Sequence, residues 1–194
     1  AARRRLVEPG RSPAFIPGLA ALVAQDAIDV VISTVDVELA ALAERRDELA
    51  PAVLAAPSAD TIATCLDKLA LAERCAPTVR VPRTVLAAPD ALAIDWEFPV
   101  FAKPRSGAGS RGIRVVPDRA ALEALPTDEG LIVQDLLPGE EYSVDVIADA
   151  AGRVVAAVPR TRTRVDSGVS IAGRTVRDPE LEETAAAVAR AIGL

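Results

Sequence analysis

Apolar positions along the chain fall into short β-branched runs separated by longer Leu- and Ala-rich stretches at helical spacing. Residues 13–25 read as a helix, and "AIDVVIST" (27–34) is a continuous apolar run of the kind a buried strand shows. Asp36 stands where the next helix needs a cap, and in "VELAALAERRDEL" Leu39, Leu42 and Ala43 share one face. "AVLAA" (52–56) is a second short strand. Helix, strand, helix, strand predicts a doubly wound parallel sheet, entered after its beginning.

Beyond Pro57-Ser58 the pattern changes. "DTIATCLDKLALAERC" reads as one helix, with Ile62, Leu66, Leu69 and Ala72 on its inner face and Lys68 beside that face. "APTVRVPRTVL" is an extended, proline-punctuated link. In "FPVFAKPRSGAGSRGIRVV" (98–116), Gly107 to Gly112 match G-x-G-x-x-G, the dinucleotide fingerprint. A Rossmann loop opens a helix, whereas Ile113-Arg114-Val115-Val116 is short and β-branched and Pro117-Asp118 ends it. Strand, glycine loop, strand is a hairpin, and a glycine-rich tip can fold its N–H groups over a polyphosphate. A helix over 118–125 follows, then "PTDEG" as an ordinary loop and "LIVQDLL" as a strand. "EEYSVDVIAD" and "RVVAAVPRTRTRV" are further strands, the latter with Arg160, Arg162 and Arg164 on one face. Glu180 to Ile192 closes the chain as an amphipathic helix.

Composition narrows the chemistry. At 194 residues there is room for one or two domains, and despite a mean hydropathy of +0.26 no apolar run is long enough to span a membrane. Arg3-Arg4-Arg5 before "IPGLAALVA" imitates a signal-peptide start, but Pro17, Gly18, Asp26 and Asp29 argue against one. Without any methionine the chain reads as an excerpt of something longer. A net charge of −6 and 3% aromatics argue against a nucleic-acid partner. Zero histidines exclude Ser-His-Asp and Cys-His catalysis, and Cys65 and Cys75 read as buried small residues on a helix in a reducing cytoplasm. Among 22 basic residues only Lys68 and Lys103 are lysine. Either they survive by chance, or they mark places where a compact ammonium is wanted, as on phosphate oxygens, and the position of Lys103 before the glycine loop favours the second.

Lys68 on its helix, Lys103 before the glycine hairpin, "VQDLLPGEEYSVDV" and "VPRTRTRV" stand in chain order. Together they resemble the ATP-grasp superfamily, most closely its carbamoyl-phosphate-synthetase-like ligases. Residues 1–56 look like the C-terminal part of the Rossmann-like domain that precedes an ATP-grasp domain, and 57–194 like the two-lobed ATP-grasp domain itself. The fold class expected is thus α/β followed by α+β.

The resemblance implies that Lys68 and Lys103 reach the ATP phosphates, Lys103 also touching adenine N7. Gly107, Gly109, Ser110, Arg111 and Gly112 match the loop that closes over the β- and γ-phosphates. Asp135 stands where the family commonly has a glutamate near the adenine amino group, Leu136 and Leu137 offer backbone and an apolar face to the base, and Glu141 matches the acid on the ribose hydroxyls. Arg160 matches the family's "PR" and is the candidate catalytic residue. Read without the resemblance, Lys103 could be solvated, Glu141 could face water and Asp135 could end a sheet. The three arginines could bind an anionic substrate or acyl phosphate, or keep an edge strand soluble. A protein kinase has its glycine loop before its lysine strand, the reverse order, and no Walker lysine is present.

The activity implied is an ATP- and magnesium-dependent ligase that phosphorylates a small-molecule carboxylate for attack by an amine. It would be cytoplasmic, with no nucleic-acid or membrane partner and with homo-oligomerisation left open. The magnesium-binding acids are expected beyond residue 194, so that this stretch alone turns nothing over. The alternative is a nucleotide-binding module without catalysis.

Overall fold

A computed structural model describes residues 4–87, 89–107, 109–166 and 168–194; Arg3 of the arginine run and Ala108 of the glycine run lie outside them. They divide into two compact units between Ala63 and Thr64.

In the first unit, α1 (Phe15–Asp26) buries Phe15, Ile16 and Val23 and stops where Ala27 turns left-handed and returns its N–H to Val23. β1 (Val30–Val31) and β2 (Val53–Leu54) pair in parallel, with α2 (Asp36–Glu44) and a 3-10 turn (Arg46–Leu49) between them. Phe15, Ile16, Leu42, Leu49 and Leu54 form the core, with Val31 packed against it. The parallel strand–helix–strand unit is therefore present, but the run 27–34 is not a buried strand. Only two residues pair, and Val30 and Ile32 are 51% and 70% exposed, because alternation turns Val31 and Leu54 inward and Val30 and Val53 outward. Asp36 is not the cap either. Val35 holds that position without a side-chain bond, and Asp36 is the first helical residue, where its charge still suits the helix N-terminus.

The division falls within α3 (Ala59–Leu66), and α4 (Lys68–Cys75) starts one residue after it. The second unit holds a four-stranded antiparallel sheet of β3 (Thr84–Ala87), β4 (Val100–Pro104), β5 (Arg114–Val116) and β6 (Asp128–Asp135) in the order β3-β6-β4-β5. The hairpin read around the glycine run is β4 with β5, Val100 opposite Val116 and Ala102 opposite Arg114. One face, carrying Ala87, Val100, Ala102, Val116, Leu131 and Val133, packs on Ala91, Trp96 and Leu122 from α5 (Pro89–Ala93), α6 (Arg119–Glu123) and the α5–β4 connection. Trp96 is accommodated there because its indole N–H donates to Ala91 O at 2.8 Å. By register, the opposite face carries Thr84, Leu86, Ile132, Gln134, Phe101 and Lys103.

The hairpin of β7 (Tyr142–Ala148) and β8 (Val154–Thr161) packs against α7 (Pro179–Ile192), which Asp178 caps through the N–H groups of Glu180 and Leu181. β9 (Arg164–Asp166) and β10 (Val169–Ala172) form a small second hairpin.

Five readings of the pattern need correction in this unit. The helix over 60–75 is broken at Asp67. The proline-punctuated link contributes β3, because Thr84–Leu86 find backbone partners in Gln134–Ile132. "PTDEG" is not only a loop, since Asp128–Gly130 begin β6. β8 ends at Thr161 and β9 starts at Arg164, so Arg160, Arg162 and Arg164 do not share a strand face. Cys75 is buried as expected, but Cys65 is exposed. Among the described residues no helix is long and apolar enough to cross a membrane.

Candidate nucleotide site

Asp67 breaks the helix and in doing so aims Lys68. Its backbone is extended (φ −110°, ψ 107°), and its Oδ1 accepts the N–H groups of Leu69 and Ala70 at 3.0 and 3.2 Å, an N-cap for α4. The same carboxylate takes the Arg105 guanidinium, Nε at 2.8 and 2.9 Å and Nη2 at 2.6 Å. Arg105 O in turn accepts Lys68 N at 3.0 Å, and Asp67 bridges Ser106. Arg105 follows β4 directly, so the start of α4 is fastened to the root of the glycine hairpin. Lys68 Nζ then donates to Gly107 O at 2.8 Å. The Arg105 hydrogen bonds, and after them those from the helix N–H groups, outweigh burial and hold the Asp67 carboxyl below its ordinary range.

Lys103 comes from the face of the sheet opposite the apolar core. Its Nζ donates to Gln134 Oε1 at 2.5 Å, Gln134 Nε2 donates to Thr84 Oγ1 at 2.7 Å, and that hydroxyl donates to Pro82 O at 2.9 Å. This chain crosses β4, β6 and β3 and fixes the lysine without using a carboxylate. Burial pushes the Lys103 ammonium below the usual lysine range, and the Lys68 charge pushes it further. Lys68 is lowered as well, by burial, with Asp67 opposing. Among the described residues neither lysine is in an ion pair. Two partly desolvated cations, Lys103 lowered further by the charge of Lys68, have a free-energy deficit that a polyanion would relieve.

The glycine loop has two close approaches. Gly112 (φ 74°) lies against Pro104, where a Cβ would come within 2.9 Å of Cγ. The α-carbon of Gly168 in the β9–β10 turn faces Gly109 and Ser110, and a Cβ there would meet Ser110 Oγ at 2.5 Å. Gly107 has open space around it, and Arg111 is exposed.

At the end of β6, Asp135 accepts Arg83 N at 2.9 Å and Arg83 Nη2 at 3.0 Å, while Arg83 lies over the Trp96 ring, 4.4 Å from its centroid. Both carboxylate oxygens are therefore engaged. Leu136 is half-buried and Leu137 is exposed. Glu141 is exposed and lies beside Arg162, Nε to Oε2 at 3.2 Å, whereas Arg160 pairs with Asp145 at 2.7 Å. Arg164 is exposed.

The structure thus brings Lys68, Lys103 and the loop together around α4 and β4. Asp67, Arg105, Gln134 and Gly168 escaped the sequence reading. Asp67 directly before a helical lysine could have signalled a cap, but it lies inside an apolar pattern that continues through it. Among the described residues no group of three or more His, Cys, Asp or Glu side chains is placed to hold a metal ion. The magnesium that the resemblance implies has no ligand set in them, and no step is assigned to it.

With this geometry in hand, similarity to known proteins is informative. A family model described as "ATP-grasp in the biosynthetic pathway with Ter operon" matches residues 127–194. No curated protein matches the sequence. Among solved structures, biotin carboxylase from Campylobacter jejuni in its β,γ-ATP complex superposes with a TM-score of 0.73 at 21% identity, over 96% of this chain and 48% of that one. L-amino acid ligase from Bacillus licheniformis gives 0.68 at 15% identity, over 96% and 47%. The biotin carboxylase domain of 2-oxoglutarate carboxylase from Hydrogenobacter thermophilus, solved with MgADP, ADP and bicarbonate, gives 0.71 at 16% identity, over 97% and 48%. The chain has the mixed α/β fold of the ATP-grasp ligases, a group that includes the carbamoyl-phosphate-synthetase-like biotin carboxylases. It spans about half the length of these structural relatives.

Proposed function

We propose that this chain is the nucleotide-holding part of an ATP-dependent carboxylate–amine ligase. The observation that carries the reading is the convergence of Lys68 and Lys103, partly desolvated and, among the described residues, outside any ion pair, on a glycine hairpin. Residues 1–56 would then be the end of a Rossmann-like domain preceding the ATP-grasp domain of 57–194. The two ammonium groups neutralise the phosphates as point charges, and the N–H groups of the loop close over the β- and γ-phosphates. The base lies beside Phe101, on the sheet face that also carries Lys103, with the backbone of Leu136 and Leu137 at its edge and Glu141 at the ribose. Arg83 holds both oxygens of Asp135 and so fixes, at the end of β6, the carboxylate that would accept from the adenine amino group with its remaining lone pairs.

In the reaction, a carboxylate oxygen attacks the γ-phosphorus and ADP leaves, giving an acyl phosphate. An amine then attacks the acyl carbon, phosphate leaves, and the amine loses a proton. Arg160 is the side chain assigned to the negative charge of the acyl phosphate, released from Asp145 when that anion is present. Titration calorimetry with ATP is the test, comparing the parent with Lys103→Ala. Saturable binding that the variant weakens supports the reading, and equal affinity overturns it. Phosphate release by the full-length protein with carboxylate and amine panels separates a ligase from a module that binds nucleotide without turnover.

A further inference from the structure

Arg162 lies outside the roles assigned so far, yet it is the better buried of the two arginines in its neighbourhood, its side chain 17% exposed against 33% for Arg160. Its three nitrogens reach three residues on two segments, the start of β7 and the β9–β10 turn. Nε is 3.2 Å from Glu141 Oε2, Nη1 donates to Ser143 Oγ at 3.2 Å, and Nη2 donates to Gly168 O at 2.9 Å. Gly168 is the residue on whose bare α-carbon the glycine loop rests. Its φ is 79°, and a Cβ would stand 3.0 Å from Gly109 C and from Ser110 N as well as 2.5 Å from Ser110 Oγ. One guanidinium therefore joins the acid at the ribose end of the site to the seat of the phosphate loop.

We propose that Arg162 is a positioning residue that couples Glu141 to the glycine loop through the Gly168 carbonyl. The proposal rests on the nucleotide-site reading above. Arg162 Nε is close to Glu141 but poorly aligned with it, and this buried N–H has no aligned acceptor. Such a donor gains when the carboxylate is drawn into line. Sugar hydroxyls that orient the exposed Glu141 carboxylate would tighten that contact and stiffen the planar guanidinium. The same plane carries the bond to Gly168 O, so the turn under Gly109 and Ser110 stiffens with it. A lysine cannot reproduce this, because one ammonium cannot hold three acceptors in a fixed plane.

The test uses Arg162→Lys, which keeps the charge, with Ser143→Ala as a milder second variant that removes a single acceptor. Hydrogen exchange of the ligand-free chain is expected to quicken at Gly109 to Gly112 while the β6 amides stay as in the parent. Affinities for ATP and 2′-deoxy-ATP are expected to converge, the preference for the ribose falling about fivefold in Arg162→Lys. Ser143→Ala shifts both readouts the same way by less. Unchanged loop exchange together with an unchanged ATP to deoxy-ATP ratio overturns the proposal. A parent that fails to bind ATP removes the nucleotide reading, and the ligand-free exchange still decides the coupling, equal rates overturning it.

Discussion

The lysine end and the arginine end of the second unit handle buried charge in opposite ways. Around α4 and β4 the two ammonium groups are held by carbonyl and amide oxygens, and both lie below their ordinary range. Around β7 and β8 each arginine has an acid beside it, Arg160 with Asp145 and Arg162 with Glu141. The first region stores an electrostatic deficit that an anion relieves, while the second is compensated before any ligand arrives. Affinity for a polyphosphate is therefore expected from the first region, and selectivity and positioning from the second.

Lys103→Ala attacks the deficit directly and carries the largest effect, a loss of ATP affinity of about 1.5–3 kcal/mol, the range of a charge-assisted hydrogen bond. Lys103→Arg restores only part of it, since a planar fork does not replace a point charge. Calorimetry on the three proteins measures both. Without nucleotide the sign reverses. Lys103→Met raises stability at neutral pH by on the order of 1 kcal/mol or less, because the half-buried cation is removed without stranding an opposite charge, the gain being limited by the donor that Gln134 Oε1 loses. A lysine lowered in the folded state costs stability while it is charged in both states. That cost fades as pH rises through its folded value toward about 10.4, so the advantage of Lys103→Met vanishes in alkali. Urea midpoints against pH check this.

Asp67→Ala removes the cap that starts α4 and costs about 1 kcal/mol in denaturant unfolding. Asp67→Asn keeps the cap but loses the Arg105 ion pair. Because the Asp67 carboxyl is lowered in the folded state, its contribution is complete above its unfolded value near pH 4 and is lost as pH falls through the folded value. The parent is thus expected to lose stability more steeply than Asp67→Asn in acid. Glu141→Ala comes next, with a several-fold fall in preference for ATP over deoxyribose analogues, read from paired titrations. The smallest effect on stability belongs to Arg160→Lys at an exposed ion pair. Its melting temperature stays at the parent's, and only acyl-phosphate formation by the full-length protein suffers.

Element positions in both units were largely legible from periodicity. α1, α7 and the β4–β5 hairpin stand where apolar spacing and punctuation put them, because each is decided by contacts close in sequence. The helix over 60–75 was misread because its apolar rhythm passes through Asp67 without interruption. What breaks it is a carboxylate shared between two helix N–H groups and Arg105, 38 positions further along the chain. β3 was hidden for a similar reason. Thr84–Leu86 carry no clear alternation, and only pairing with β6 makes them a strand.

The chemistry divides in the same way. Residue type alone singled out Lys68 and Lys103, the two lysines in a chain otherwise supplied with arginine, as candidates for sites that take a compact cation. Glycine content alone located the loop. Which atoms hold each charge was settled by the tertiary fold: Gln134 and Thr84 behind Lys103, Arg105 behind Asp67, Arg83 over Asp135, and Gly168 beneath Ser110. A lone residue can show that a charge is needed. Its partner is chosen by strand register and loop path across dozens of positions, and local sequence does not encode those distances.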